Sequence, residues 1–202
     1  MATRRTPDGR QRRRDLCDAA ILVLAELGAK GLSHPRVDRR AGVPDGSASY
    51  YFRTRTALVH AVAERVAELD LADLRSVAEG TEATEVDTSR QAAVTKLAAV
   101  VLKSLTGDGL IRTRARIELL LQASRDPAIS EVFHANSQTY LRLHTELAER
   151  ARPANTSAVD DRALLTVMFI SGLMLSAASG NQPVIERDRL ELLLAQIVDG
   201  TS

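Results

Sequence analysis

The chain has 202 residues and six aromatic side chains, of which three are consecutive: Tyr50, Tyr51 and Phe52. Elsewhere Ala and Leu dominate the apolar positions, so a plain helical core does not account for this run. Two adjacent phenols can give hydroxyls to phosphate oxygens while a neighbouring phenylalanine anchors the segment. The polar groups around them are of the same kind. Ser33, Arg36, Asp45, Gly46, Ser47 and Ser49 precede the aromatics, and Thr54 and Arg55 follow. These residues are expected to line the segment if it binds nucleic acid. Arg4, Arg5, Arg10, Arg12, Arg13 and Arg14 add six guanidinium groups ahead of the first apolar position. Such an arm can follow a phosphate backbone or enter a minor groove, although a solvated tail has the same composition.

Charge supports this reading. The formal net charge is only +1, yet residues 1–60 carry 12 basic against 6 acidic side chains and residues 61–202 carry 15 against 20. The front of the chain is where an anion would bind.

Other chemistries lack their parts. Glu131-Val132-Phe133-His134 has the E-x-x-H spacing of carboxylate-bridged metal bundles, but those need a second such motif and two further glutamates. His34, His60 and His144 have no glutamate three residues before them. Cys17 is the only cysteine, which excludes a disulfide within the chain and a cysteine-built zinc site. Gly107-Asp108-Gly109 has no strand before it and no Lys-Ser/Thr after it, so it reads as a turn and not a phosphate loop. No serine sits on a strand-to-helix elbow. Catalytic residues, metal ligands and cofactors are therefore not assigned.

The elements that must position the polar cluster are helices. With 45% apolar, 26% charged and 3% aromatic residues, the chain has a globular composition. Leu16, Ala20, Val23, Leu24 and Leu27 recur at helical spacing over residues 10–27, stopped by Gly28 and Gly31. Ser33 is placed to cap a short helix that tolerates Pro35, and Gly42 offers a positive-φ break. A very short helix over 45–51 follows. Thr54 then caps a long one with Leu58, Ala61, Val62, Leu69 and Ala72 on one face. Beyond a polar joint at 80–88, the pattern predicts helices near 89–105, 110–124, 127–152, 159–179 and 187–199, about nine in all. The longest apolar stretch, Ala163 to Ala178, falls short of the ~20 residues of a bilayer span. No export signal is recognisable, and a cytoplasmic, membrane-free protein is expected.

Two short helices joined by a glycine-bearing turn, over 33–51, have the dimensions of a helix-turn-helix, whose second helix enters the major groove of DNA. Gly31-Leu32-Ser33, Val37, Ala41-Gly42-Val43, Gly46 through Phe52, Arg55 and Leu58 resemble the DNA-binding domain of the TetR family of bacterial transcriptional regulators. The resemblance covers roughly residues 10–65. It implies a DNA-binding domain at 1–60 and a larger all-helical effector and dimerisation domain at 61–202. The chain departs from the family's pattern at Pro44, where a Ser or Thr usually caps the recognition helix, so Asp45 is expected to take over that role. Asp38 replaces a usual alanine and Ser49 a common tyrosine. Arg55 stands where the family has lysine, and a cation at a helix start makes sense if a phosphate sits beside it.

Leu164, Leu165, Met168, Phe169, Leu173 and Leu175, with the small Gly172 and Ser176, make the eighth helix apolar on more than one face. Leu190, Leu193, Leu194 and Ile197 form a stripe on the ninth. The resemblance implies that these two helices pair with their copies in a homodimer, through Leu165, Phe169, Gly172, Leu173, Ser176 and the four residues of the last stripe. Packing within one chain would explain the same stripes. The resemblance also implies a palindromic operator in double-stranded DNA and an unidentified small-molecule effector bound among helices five to eight. Glu118, Gln122, Tyr140, His144, Met168 and Phe169 are the candidates to line that site. Two rivals remain: a helical-bundle enzyme or metalloprotein, and a DNA-binding protein without an effector.

Overall fold

A computed structural model describes residues 9–79, 90–133, 159–181 and 185–199. Among these, every regular element is a helix: α1 (Gly9–Gly31), α2 (His34–Ala41), α3 (Ser47–Tyr51), α4 (Arg55–Glu79), α5 (Arg90–Leu105), α6 (Gly107–Ala123), α7 (127–133), α8 (Val159–Ala178) and α9 (Arg187–Asp199). The all-α reading therefore holds. None of the helices within the described residues is long and apolar enough to cross a membrane.

Local signals set most boundaries. Gly42 ends α2 in the left-handed region, at φ 65°, ψ 35°, a conformation that costs glycine nothing. Thr54 caps α4, its Oγ1 accepting the Ala57 N–H at 3.0 Å. Asp126 does the same for α7, accepting from Ala128 at 3.1 Å. Ser33 stands at the cap position of α2 with extended backbone, but its side chain makes no capping bond. The helix after α5 begins at Gly107, not at 110. Thr106 O already accepts the Leu110 N–H, and Asp108 complements the positive helix end, so the expected turn is the first turn of α6.

The chain divides into two compact units, one holding residues through Glu68 with Arg114–Phe133, the other Leu69–Thr113 and the described residues from Val159 on. In the first, Leu16, Ala20 and Leu24 of α1, Val37 of α2, Ala48 of α3, Phe52, Leu58 and Val62 of α4, and Leu119 of α6 are buried. Arg65 of α4 closes the side of this unit by donating to both carboxylate oxygens of Asp18 on α1, at 2.8 and 3.1 Å. In the second unit, Val94, Leu97, Ala98 and Val101 of α5 pack with Ile170, Met174 and Ala177 of α8 and Leu190 and Leu194 of α9. The expected apolar face of α4 needs correction beyond its middle. Ala72 is exposed and Leu69 half-buried, while Leu74 is buried because Val100 of α5 packs against it.

Candidate nucleic-acid interface

The five residues of α3 cannot hold a helix by themselves, because a single turn forms too few hydrogen bonds to offset its own ordering. A buried acid supplies what is missing. Asp38 on α2 is 1% exposed, and its carboxylate accepts the Gly46 N–H at 2.8 Å and the Ala48 N–H at 2.6 Å. Two orphan donors at the start of α3 are thus satisfied by a side chain from the preceding helix. The capping role expected of Asp45 belongs to Asp38. Asp45 is exposed and makes no such bond, because the chain has already turned at Gly46 before α3 begins.

The other end of α3 is fixed by Phe52, 1% exposed, whose N–H donates to Ala48 O at 2.8 Å. The Phe52 carbonyl lies 2.7 Å from Nε2 of His34, and since a carbonyl can only accept, that ring nitrogen carries the proton. The guanidinium of Arg13 lies 4.8 Å from the centre of the Phe52 ring. Arg10, Arg12, Arg13 and Arg14 are thereby part of α1 and not of an extended arm; Arg14 also pairs with Glu68 at 3.6 Å. Arg4 and Arg5 lie outside the described residues.

This scaffold presents the polar cluster. Tyr50 is 76% exposed and meets Tyr51 edge to face, ring centres 5.2 Å apart. Ser49 is exposed, and Ser47 donates its hydroxyl to Pro44 O at 2.6 Å, which leaves its oxygen as an acceptor. Thr54 uses its oxygen in the α4 cap and keeps its hydroxyl proton for another acceptor. The two arginines are less free than their exposure suggests. Arg55 donates to Ala29 O at 2.7 Å and Leu32 O at 3.4 Å, and Arg36 donates to Gly31 O at 2.8 Å. Both cations sit at the carbonyl end of α1, where the helix dipole favours them. The position of Arg55 at the start of α4 thus has a protein-internal reason besides a phosphate. Arg39 and Arg53, exposed and not singled out from the sequence, flank the same segment.

The remaining candidates scatter. Glu118 accepts the Ala29 N–H at 2.8 Å, and Gln122 reaches back to Glu118 O at 3.4 Å; both belong to the first unit. Phe169 packs against the core of the second unit, and Met168 is exposed. Tyr140 and His144 lie outside the described residues. Of the expected dimer residues, Leu190 and Leu194 are fully buried against their own chain, because α5 covers the α9 stripe. Phe169 and Leu173 pack on that same core, and Leu193, Ile197 and Ser176 are half-buried. Leu165, 57% exposed, and Gly172 lie on a surface face of α8 that also carries Leu164, Met168 and Leu175, at spacings of one, four, eight and eleven residues from Leu164.

Residues 88–200 match the family model described as the tetracyclin repressor-like C-terminal domain. The HTH-type transcriptional regulator BetI of Burkholderia cenocepacia (strain HI2424) is 27% identical over 184 residues, 90% of this chain and 89% of that protein. The crystal structure of the multidrug binding protein EbrR complexed with ethidium is 27% identical, with a TM-score of 0.64 over 94% of this chain and 99% of that one. A TetR transcription regulator from Haloarcula marismortui, at 16% identity, shares the fold, with a TM-score of 0.75 over 95% of this chain and 98% of its own. A match to the family's C-terminal domain across more than half of the sequence, joined to a helix-turn-helix at its front, makes this chain a member of the TetR family of DNA-binding transcriptional regulators.

Proposed function

We propose that the chain acts in the cytoplasm as a homodimeric repressor that holds a palindromic operator through α3 and leaves it when a small organic molecule binds the C-terminal domain. The capped α3 carries this reading. A buried carboxylate spent on the N–H groups of a five-residue helix has a purpose if that helix must keep one orientation while exposing Tyr50 and Ser49. Ser33, Arg36, Asp45, Gly46, Ser47, Ser49, Tyr50, Tyr51, Thr54 and Arg55 form the proposed DNA surface, joined by Arg39 and Arg53.

The second copy is proposed to cover the exposed face of α8, since an apolar stripe of this length otherwise remains in water. Leu164, Leu165, Met168, Gly172 and Leu175 are proposed for that interface together with the half-buried Leu193 and Ile197 of α9, whereas Leu190 and Leu194 are buried within the chain. EbrR has been crystallised with ethidium and with imidazole, which supports an organic effector for this relative of it.

Fluorescence anisotropy with duplex DNA at graded salt tests the reading. Binding is expected to weaken linearly in log salt, with a slope of about −0.9 for each phosphate neutralised. A salt-independent response contradicts it.

A further inference from the structure

α1 is broken before its end. Gly28 adopts φ 65°, ψ −175°, outside the helical region, and the N–H of the next residue, Ala29, is donated to Oε2 of Glu118 at 2.8 Å, 89 residues further along the chain. Glycine suits residue 28 because its backbone holds a conformation other residues rarely adopt; a Cβ there would come into contact with both carboxylate oxygens, at 3.4 Å. Ala29 is engaged from its other side as well. Its carbonyl accepts from Nη2 of Arg55, the first residue of α4, at 2.7 Å, and the same guanidinium reaches Leu32 O. Arg36 of α2 holds the intervening Gly31 O. Residues 29–32 are therefore clamped by side chains from α2, α4 and α6, and the carboxylate is the clamp that comes from outside the DNA-binding helices.

We infer that Glu118 is a positioning residue for DNA binding: through Ala29 it holds the end of α1 in the place where Arg55 and the start of α4 are aligned for a phosphate. The inference rests on the reading of α3 and its flanks as the DNA surface. Arg55 has donors left over after its two carbonyl bonds, but their direction depends on where Ala29 and Leu32 lie. Releasing the Ala29 N–H lets the short turn after Gly28 relax, and the guanidinium moves with its acceptors.

The test compares full-length wild type with Glu118→Ala, Glu118→Gln, Arg55→Ala and the Glu118→Ala/Arg55→Ala pair. Duplex affinity is measured at several salt concentrations, and hydrogen exchange is followed at the Ala29 amide. Glu118→Ala is expected to lose affinity by roughly tenfold, the scale of a hydrogen bond to a charged group, with the salt slope of wild type, because it touches no phosphate. Its Ala29 amide should exchange freely while the amides of the α1 core stay protected. Arg55→Ala should lower the slope by about 0.9. The double variant should lose less than the product of the two single losses, since one effect runs through the other. Glu118→Gln keeps an acceptor oxygen and should retain both affinity and Ala29 protection, which also separates positioning from loss of fold. Wild-type affinity in Glu118→Ala, or a loss of affinity with Ala29 still protected, overturns the inference. Failure of the wild type to bind any duplex overturns the DNA reading on which it rests.

Discussion

Asp38 and Ala48 are ten residues apart in the chain, and the carboxylate of the first accepts the amide of the second at 2.6 Å with no solvent around it. Because the same carboxylate takes the Gly46 N–H, removing it strands two backbone donors at the start of α3. Asp38→Ala is expected to lower the stability of the protein by about 1–3 kcal/mol in urea unfolding. DNA affinity should fall further than that loss alone explains, because α3 then frays in the folded state. Asp38→Asn, with one acceptor oxygen, should fall between.

The neighbouring aromatics separate packing from contact. Phe52 is buried, so Phe52→Ala should destabilise the fold by about 3–5 kcal/mol. Tyr50 is largely in solvent, so Tyr50→Ala should leave thermal unfolding within about 0.5 kcal/mol of wild type while weakening DNA binding. Calorimetry beside anisotropy distinguishes the two. A Tyr50→Ala variant with unchanged DNA affinity removes that hydroxyl from the interface.

The faces of α8 make opposite predictions. Leu165→Glu with Met168→Glu places charges on the exposed face and should yield a folded monomer by light scattering. Leu190→Ala should instead cost about 2–5 kcal/mol of stability, with the assembly state unchanged where the chain remains folded. A dimer that survives the double glutamate places the interface elsewhere.

Cys17 offers a readout of the first unit. Burial pushes its thiol up to about 12 from 9.0, with the Arg13 charge pulling the other way and Asp18 adding to the rise. The thiolate is therefore disfavoured in the folded chain. The unfolded chain loses that proton from pH 9 upward while the folded chain keeps it, so folding stability should decline between pH 9 and 12, at up to about 1.4 kcal/mol per pH unit. Cys17→Ala should lack this part of the decline. At pH 8 a maleimide should label wild type only as fast as it unfolds.

What could be read from the sequence was what depends on neighbours along the chain. Gly42 at the end of α2 and Thr54 at the start of α4 act within four residues of themselves, and both positions came out as expected. Asp38 could not be recognised as the cap of α3, because a break and a turn intervene and only the fold brings its carboxylate to Ala48. The same holds for Glu118, whose backbone partner Ala29 lies 89 residues away in the chain and is brought to it only by the fold. In α8 and α9 the apolar stripes were visible, but a stripe does not name what covers it. Leu190 and Leu194 met α5 of their own chain, whereas Leu164 and Leu165 met solvent.

The central claim is that the capped α3 reads a DNA sequence, and the specificity of binding tests it most directly. Duplexes recovered by the protein from a random pool should converge on an inverted repeat whose half-sites lie about 34–36 Å apart along the helix, or a multiple of that. At one fixed salt concentration, the affinity for that duplex over a scrambled one of equal length should be on the order of a thousandfold or more. No convergence, with equal affinity for both duplexes, would contradict the account and leave only the attraction of a basic surface for phosphate.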